Sequence, residues 1–224
     1  MTLTCLGILI LTLGVPPGPG EGSGSPTTDS LVTARIERRI VKTFDFDERK
    51  LGNYEDVPMN WRRLTGPGYP RFLEPAFDDE VGHDAPPSLR LTINGGSVGA
   101  HYLAKDIPVN PDSDYRITAW IRSAELAQAR ASITAYFIDH AFRKITDTER
   151  HSCSVGGKSE NDVWTAVTVD LPGGLVEAAW IGMTCRLDQA AETTPRSDEP
   201  RPVHYRDVHG TAWFDDLSVI RLPQ

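Results

Sequence analysis

From about Arg39 onward, apolar and polar residues alternate over short runs, each closed by Gly, Pro, Asn or Asp. A period of two sends successive side chains to opposite faces, so each run reads as a half-buried β-strand. In Ser88–Asn94 the apolar face is Leu89, Leu91 and Ile93, and Asn94-Gly95-Gly96 predicts a hairpin turn into a strand over 98–103. Over 115–122, Tyr115, Ile117, Ala119 and Ile121 face a core while Arg116, Thr118, Trp120 and Arg122 face away. Ala131, Ile133, Ala135 and Phe137 repeat the scheme, with Ser132, Thr134 and Tyr136 opposite; residues 124–129 between these runs leave room for at most a helical turn. Val163, Thr165, Val167, Val169 and Leu171 form the next apolar face, Ile181, Met183 and Cys185 another, and 212–222 the last strand. Helical periodicity is nearly absent. Antiparallel strands with one apolar face each bury it by stacking two sheets, which predicts an all-β antiparallel β-sandwich.

The amino-terminal residues break this pattern. Residues 1–15 are uncharged and apolar, too short to span a bilayer as a helix, and read as a signal-peptide-like segment. Residues 16–38 have the Pro, Gly and Ser content of a flexible linker. One domain over 39–223 remains, within the size that β-sandwiches reach. These features predict an exported protein, secreted or held at the cell surface or in the periplasm. Export allows a disulfide between Cys153 and Cys185, but Cys185 lies on an apolar strand face, where a reduced thiol packs as a small hydrophobe. With 23 Lys and Arg against 31 Asp and Glu, the chain carries a net charge of −8 and no basic stripe to follow a phosphate backbone. Nucleic acid is therefore not an expected partner, and neither is a membrane span.

Two ends of the domain carry motifs. The first strand runs into Phe44-Asp45-Phe46-Asp47, followed by Gly52, Asn53, Pro58 and Trp61, and the last contains Gly210-Thr211-Ala212-Trp213-Phe214-Asp215-Asp216-Leu217. Together these resemble the galactose-binding-like jelly rolls, in particular carbohydrate-binding modules of the family 4, 9 and 22 type, over roughly residues 40–222. The whole also looks like the amino-terminal region of large exported bacterial proteins, in which such a module precedes further domains. The resemblance implies that the first and last strands lie together and that a structural Ca²⁺ can sit between them. Asp45, Asp47, Asp215 and Asp216 would supply its oxygen ligands, with Asp45 standing where relatives usually present Glu. The alternative is that these acids make turn and cap hydrogen bonds.

Glycan recognition needs flat rings to stack on sugar C–H faces and planar polar groups to meet hydroxyls. The outward positions supply Trp120, Tyr136 and Trp180, with Arg116, Arg122, Arg186, Thr118 and Thr134 around them. If their strands share a sheet, they form one platform for a polysaccharide; otherwise a loop or an adjacent domain covers them. Trp61 and Trp164 read as packing under loops, and Trp213 as core. His83, His101, His140, His151, His204 and His209 show no zinc-ligand spacing. Gly95-Gly96-Ser97-Val98-Gly99 has Gly-x-Ser-x-Gly spacing but lies between two predicted strands rather than at the strand-to-helix turn of a nucleophile elbow. No Glu-x-Asp-x-x-Glu run occurs, and the adjacent acids Asp78, Asp79 and Glu80 read as solvated loop residues. Two functions remain: a non-catalytic carbohydrate-binding domain, or a structural or assembly domain without a small ligand of its own.

Overall fold

The computed structural model describes residues 39–47, 52, 55–156, 162–190 and 208–223. The signal-like segment, the linker, and most of the polar loop before His209 lie outside the described residues. In chain order the strands are β1 (Ile40–Phe44), β2 (Trp61–Arg63), β3 (Ala76–Asp78), β4 (Ser88–Asn94), β5 (Val98–Tyr102), β6 (Tyr115–Ala127), β7 (Ala129–Asp139), β8 (Arg150–His151), β9 (Thr165–Leu171), β10 (Ala178–Gln189) and β11 (His209–Arg221). They form two antiparallel sheets. One has the order β3-β4-β11-β6-β9, with β1 pairing to β11 beyond the end of β4; the other has the order β2-β5-β10-β7-β8. Among the described residues, no helix is long and apolar enough to cross a membrane.

The alternation read from the sequence is the packing. Leu89, Leu91, Ile93, Ile117, Ile121, Val167, Val169, Ala212 and Phe214 of the six-stranded sheet are buried in one core with Ile133, Phe137, Ile181, Met183 and Leu187 of the other. Each fully buried Leu, Ile or Phe contributes about 1.5–3 kcal/mol, so this interior dominates stability. Phe44, Trp61 and Tyr102 close one end as a cluster of edge-on and tilted rings, with centroids 4.7 to 5.6 Å apart. The Cys185 thiol is free and fully buried, so it forms no bridge with Cys153, and burial pushes its pKa well up.

Three expectations change. The Asn94-Gly95-Gly96 turn does not make a hairpin, because β4 pairs with β3 and β11 while β5 pairs with β2 and β10. The glycines take the positive φ expected of them, 89° and 79°, but use it to carry the chain from one sheet to the other. Residues 124–129 form no helical turn: β6 continues to Ala127, and Gln128, at φ 49°, is the corner into β7 of the second sheet. Val163 precedes β9 and is 56% exposed, since it lies beyond the Ile121–Thr165 pair where the ladder with β6 ends.

Candidate functional site

The outer face of the five-stranded sheet carries a row of polar side chains that crosses all five strands. Antiparallel register sets Arg62 of β2 opposite His101 of β5, His101 opposite Thr184 of β10, Thr184 opposite Thr134 of β7, and Thr134 opposite His151 of β8. Directly opposed residues share a face, and four interstrand steps make the row about 19 Å long. Thr134 and Thr184 are buried although they point away from the core, so the middle of the row is the floor of a depression. Thr134 Oγ1 lies 3.0 Å from His151 Nδ1. Burial, with Arg62 adding to it, holds His101 below the usual histidine pKa; burial, then Arg186 and Lys144, does the same at His151. Both imidazoles are neutral near pH 7, where each offers one donor and one acceptor.

Two walls flank this floor. On one side the Tyr136 ring lies across β10 because position 182 is glycine: a Cβ there would stand 2.7 Å from Tyr136 Cζ and 2.9 Å from Ile138 Cδ1. Burial raises the Tyr136 pKa against the effect of a hydrogen bond with Thr184, and the Lys144 ammonium, itself paired with Glu149, sits 4.8 Å from the ring centroid. On the other side the segment after β2 folds over β5, with Leu64 in the space a side chain at Gly99 would take and Pro70 doing likewise at Gly96. This brings in Tyr69, whose hydroxyl accepts from Arg186 Nη2 at 2.6 Å and donates to Asp188 Oδ1 at 3.0 Å. Arg186 Nε is 2.8 Å from Asp188 Oδ2. Burial first and Asp188 next push the Tyr69 pKa up to about 12, so its phenol stays protonated. Lys144, Glu149, His151 and Arg186 line a cleft of about 750 Å³ at the β8 end.

This face gathers three of the six residues expected on one platform: Tyr136, Trp180 and Arg186, with Trp180 one row beyond Gly182 and opposite Ile138. Trp120, Arg116 and Arg122 do not join them. All three point outward, but β6 pairs with β9 and β11, so they stand on the far side of the sandwich. There Trp120 is packed: it stacks on His83 at 4.1 Å and 15°, and Trp164 meets the same imidazole edge-on at 5.5 Å. Arg116 makes two bonds to Asp170, at 2.8 and 3.0 Å, and Arg122 one to Asp162 at 3.1 Å. Trp213, expected in the core, is also on this outer face and donates from Nε1 to Asp78 Oδ2 at 2.7 Å. Asp78 is accordingly buried rather than solvated. Sequence reasoning missed Arg62, Tyr69, His101, His151 and Thr184 as groove residues. For His101 and Thr184 the only signal was an outward position between apolar neighbours.

The four carboxylates at the chain ends are not gathered around one point. Asp45 is exposed and accepts the Asp47 backbone N–H at 3.2 Å, which is a turn contact. Asp215 is only 2% exposed; its Oδ2 accepts the His83 N–H at 2.7 Å and its Oδ1 the Asp216 N–H at 2.8 Å. Burial pushes its pKa up to about 6. Asp216, in the bulge where β11 shifts register against β6, lies 2.7 Å from His83 Nδ1. Among the described residues, the metal-ligating atoms that do converge belong to His83, Asp84 and Asp216. A six-to-eight-oxygen Ca²⁺ cage built on Asp45, Asp47, Asp215 and Asp216 does not fit this arrangement.

No family model matches the chain, and no curated protein does. Solved structures do resemble it. The enzymatically active domain of tailspike protein 4 of Bacteriophage CBA120 superposes with a TM-score of 0.50 at 12% identity, covering 73% of this chain and 20% of that one. The N-terminal CBM22-1–GH10 modules of Clostridium thermocellum endo-1,4-beta-D-xylanase 10B, complexed with xylohexaose, give 0.50 and 12%, covering 82% of this chain and 29% of that one. The tandem CBM22-1–CBM22-2 domain of Paenibacillus barcinonensis Xyn10C gives the same score and identity, covering 82% of this chain and 50% of that one. The chain thus spans between a fifth and a half of the length of these structures. At such identity the likeness is one of architecture: the described residues have the β-sandwich fold found in family 22 carbohydrate-binding modules.

Proposed function

We propose that this is the non-catalytic, carbohydrate-binding domain of an exported protein, and that a polysaccharide chain lies in the groove on the outer face of the five-stranded sheet. The observation that carries this reading is the cross-strand row Arg62, His101, Thr184, Thr134 and His151, flanked by the Tyr136 ring. Hydroxyl, neutral imidazole and guanidinium groups at successive interstrand steps match the repeating hydroxyls of an extended sugar chain. Groups already held by Tyr69, Asp188 and Thr184 lose little freedom on binding. Xylan is the first ligand to try, since a protein of this fold has been seen with xylohexaose. Adjacent domains of a longer chain would supply any catalysis.

Affinity electrophoresis through gels containing soluble xylan and a panel of other plant and bacterial polysaccharides tests the proposal. At least one polymer should retard the protein. Tyr136→Ala and Arg186→Ala should abolish the retardation, while Trp120→Ala should not. Retardation unchanged by the first two variants, or lost only in the third, would move the site off this face. Passage through every gel unretarded would leave a structural or assembly role in its place.

A further inference from the structure

On the opposite face, and independent of the glycan reading, we infer that His83, Asp84 and Asp216 bind a transition-metal dication of the Zn²⁺ type. His83 Nδ1 is 2.7 Å from Asp216 Oδ2 and 3.7 Å from Asp84 Oδ1, and all three ligand atoms lie within 4.8 Å of one another. Ligand atoms around a tetrahedral Zn²⁺, with bonds of about 2.0–2.1 Å, stand about 3.3 Å apart. The two distances straddle that spacing, so small carboxylate rotations admit the ion in place of the proton between His83 and Asp216.

The frame around these atoms is built independently of them. The His83 backbone N–H is tied to Asp215, and the His83 ring is fixed by stacking on Trp120 and by the edge of Trp164. This sets the imidazole plane before any metal arrives. Charge points the same way. Asp84 and Asp216 face one imidazole, with the Asp215 carboxyl on the backbone N–H of the same residue, and among the described residues the ion pairs of Asp84 and Asp216 run to His83 alone. A dication meets that excess of negative charge; a lone imidazole does not. The Asp84 side chain is 89% exposed, so it is free to swing inward and leaves a fourth position to water. One imidazole nitrogen with two carboxylates suits Zn²⁺ or Co²⁺, whereas Ca²⁺ takes six to eight oxygens. Bound there, the ion would bridge the loop before β4 to the β11 bulge and hold His83 over Trp120.

The test uses the full chain, stripped of metal and titrated with Co²⁺, Zn²⁺ and Ca²⁺ while tryptophan fluorescence is read. Co²⁺ on His83 should quench Trp120, Zn²⁺ should displace it and restore the emission, and Ca²⁺ should do neither. Asp84→Asn and Asp216→Asn should each weaken Zn²⁺ binding by about tenfold or more. Asp84→Asn, changing an exposed side chain, should leave the metal-free melting temperature where it was, separating ligand loss from misfolding. Zn²⁺ affinity equal in both variants and the parent would place the ion on other histidines and overturn the assignment. No binding at micromolar metal would do the same.

Discussion

Gly182 shapes the groove more than any side chain in it, because the Tyr136 ring occupies the place a Cβ would need. Gly182→Ala should therefore push that ring out of its seat. The expected cost is about 1–3 kcal/mol of overpacking, read as a lower midpoint in urea unfolding, together with weaker polysaccharide retention. His101 gives a second prediction at this scale. Its folded pKa lies below the usual value, so folding is favoured above the unfolded pKa and that contribution is lost as pH falls through the folded one. Between pH 7 and pH 5 this loss runs against the gain from Asp215, whose pKa is raised to about 6. The melting temperature of His101→Gln should therefore fall less, or rise more, than the parent's over that range; an identical pH profile in the variant would show that His101 is not responsible. Neither residue stood out in the sequence. A glycine inside a strand and a histidine between Ala100 and Tyr102 are local facts, and their roles come from Tyr136 and Arg62 on neighbouring strands. Tyr136 and Arg186 were legible, because alternation alone puts them outside the core.

Strand identity and facing followed from period two, but sheet membership did not. A sandwich has two outer faces, and an outward residue on β6 looks the same in sequence as one on β7; only pairing separates Trp120 from Tyr136. The corners explain why the pairing was misread. The Gly95-Gly96 pair, read as a hairpin turn, turns as tightly as one yet passes the chain between sheets, and Gln128, at the end of a segment given at most a helical turn, does the same. The bulge at the start of β11 depends on backbone in the same way. Gly210 has φ 136°, and a Cβ there would stand 2.6 Å from Leu126 Cδ2, 2.8 Å from Leu126 Cα and 2.9 Å from Glu125 O. Leu126 and Glu125 lie on β6, the long partner of β11. Gly210→Ala should destabilise the fold by about 2 kcal/mol or more, through both strain and contact with β6. Differential scanning calorimetry reads this as a lower melting temperature, and a midpoint equal to the parent's would contradict the geometry.

At the scale of the molecule, the two outer faces have different characters. The six-stranded face is occupied by its own contacts: Arg116 with Asp170, Arg122 with Asp162, Trp213 with Asp78, and His83 over Trp120. The five-stranded face keeps a floor of hydroxyls and neutral imidazoles between walls held by Tyr69 and Tyr136. Aromatic residues alone would not have distinguished the two, since each face carries them; what differs is the partners. Asp carboxylates take up the Arg and Trp donors of the six-stranded face, whereas the floor of the other is made of hydroxyls and imidazoles that meet one another, as Thr134 meets His151. The most direct test of this asymmetry is an amide ¹H–¹⁵N NMR titration with xylohexaose, or with whichever oligosaccharide matches the polymer that retards the protein. The amides of Gly99, His101, Thr134, Tyr136, Gly182 and Thr184 should shift together while those of Trp120 and Trp213 stay still. Shifts centred on Trp120 and Trp213 instead, with the row from Arg62 to His151 unmoved, would contradict the account.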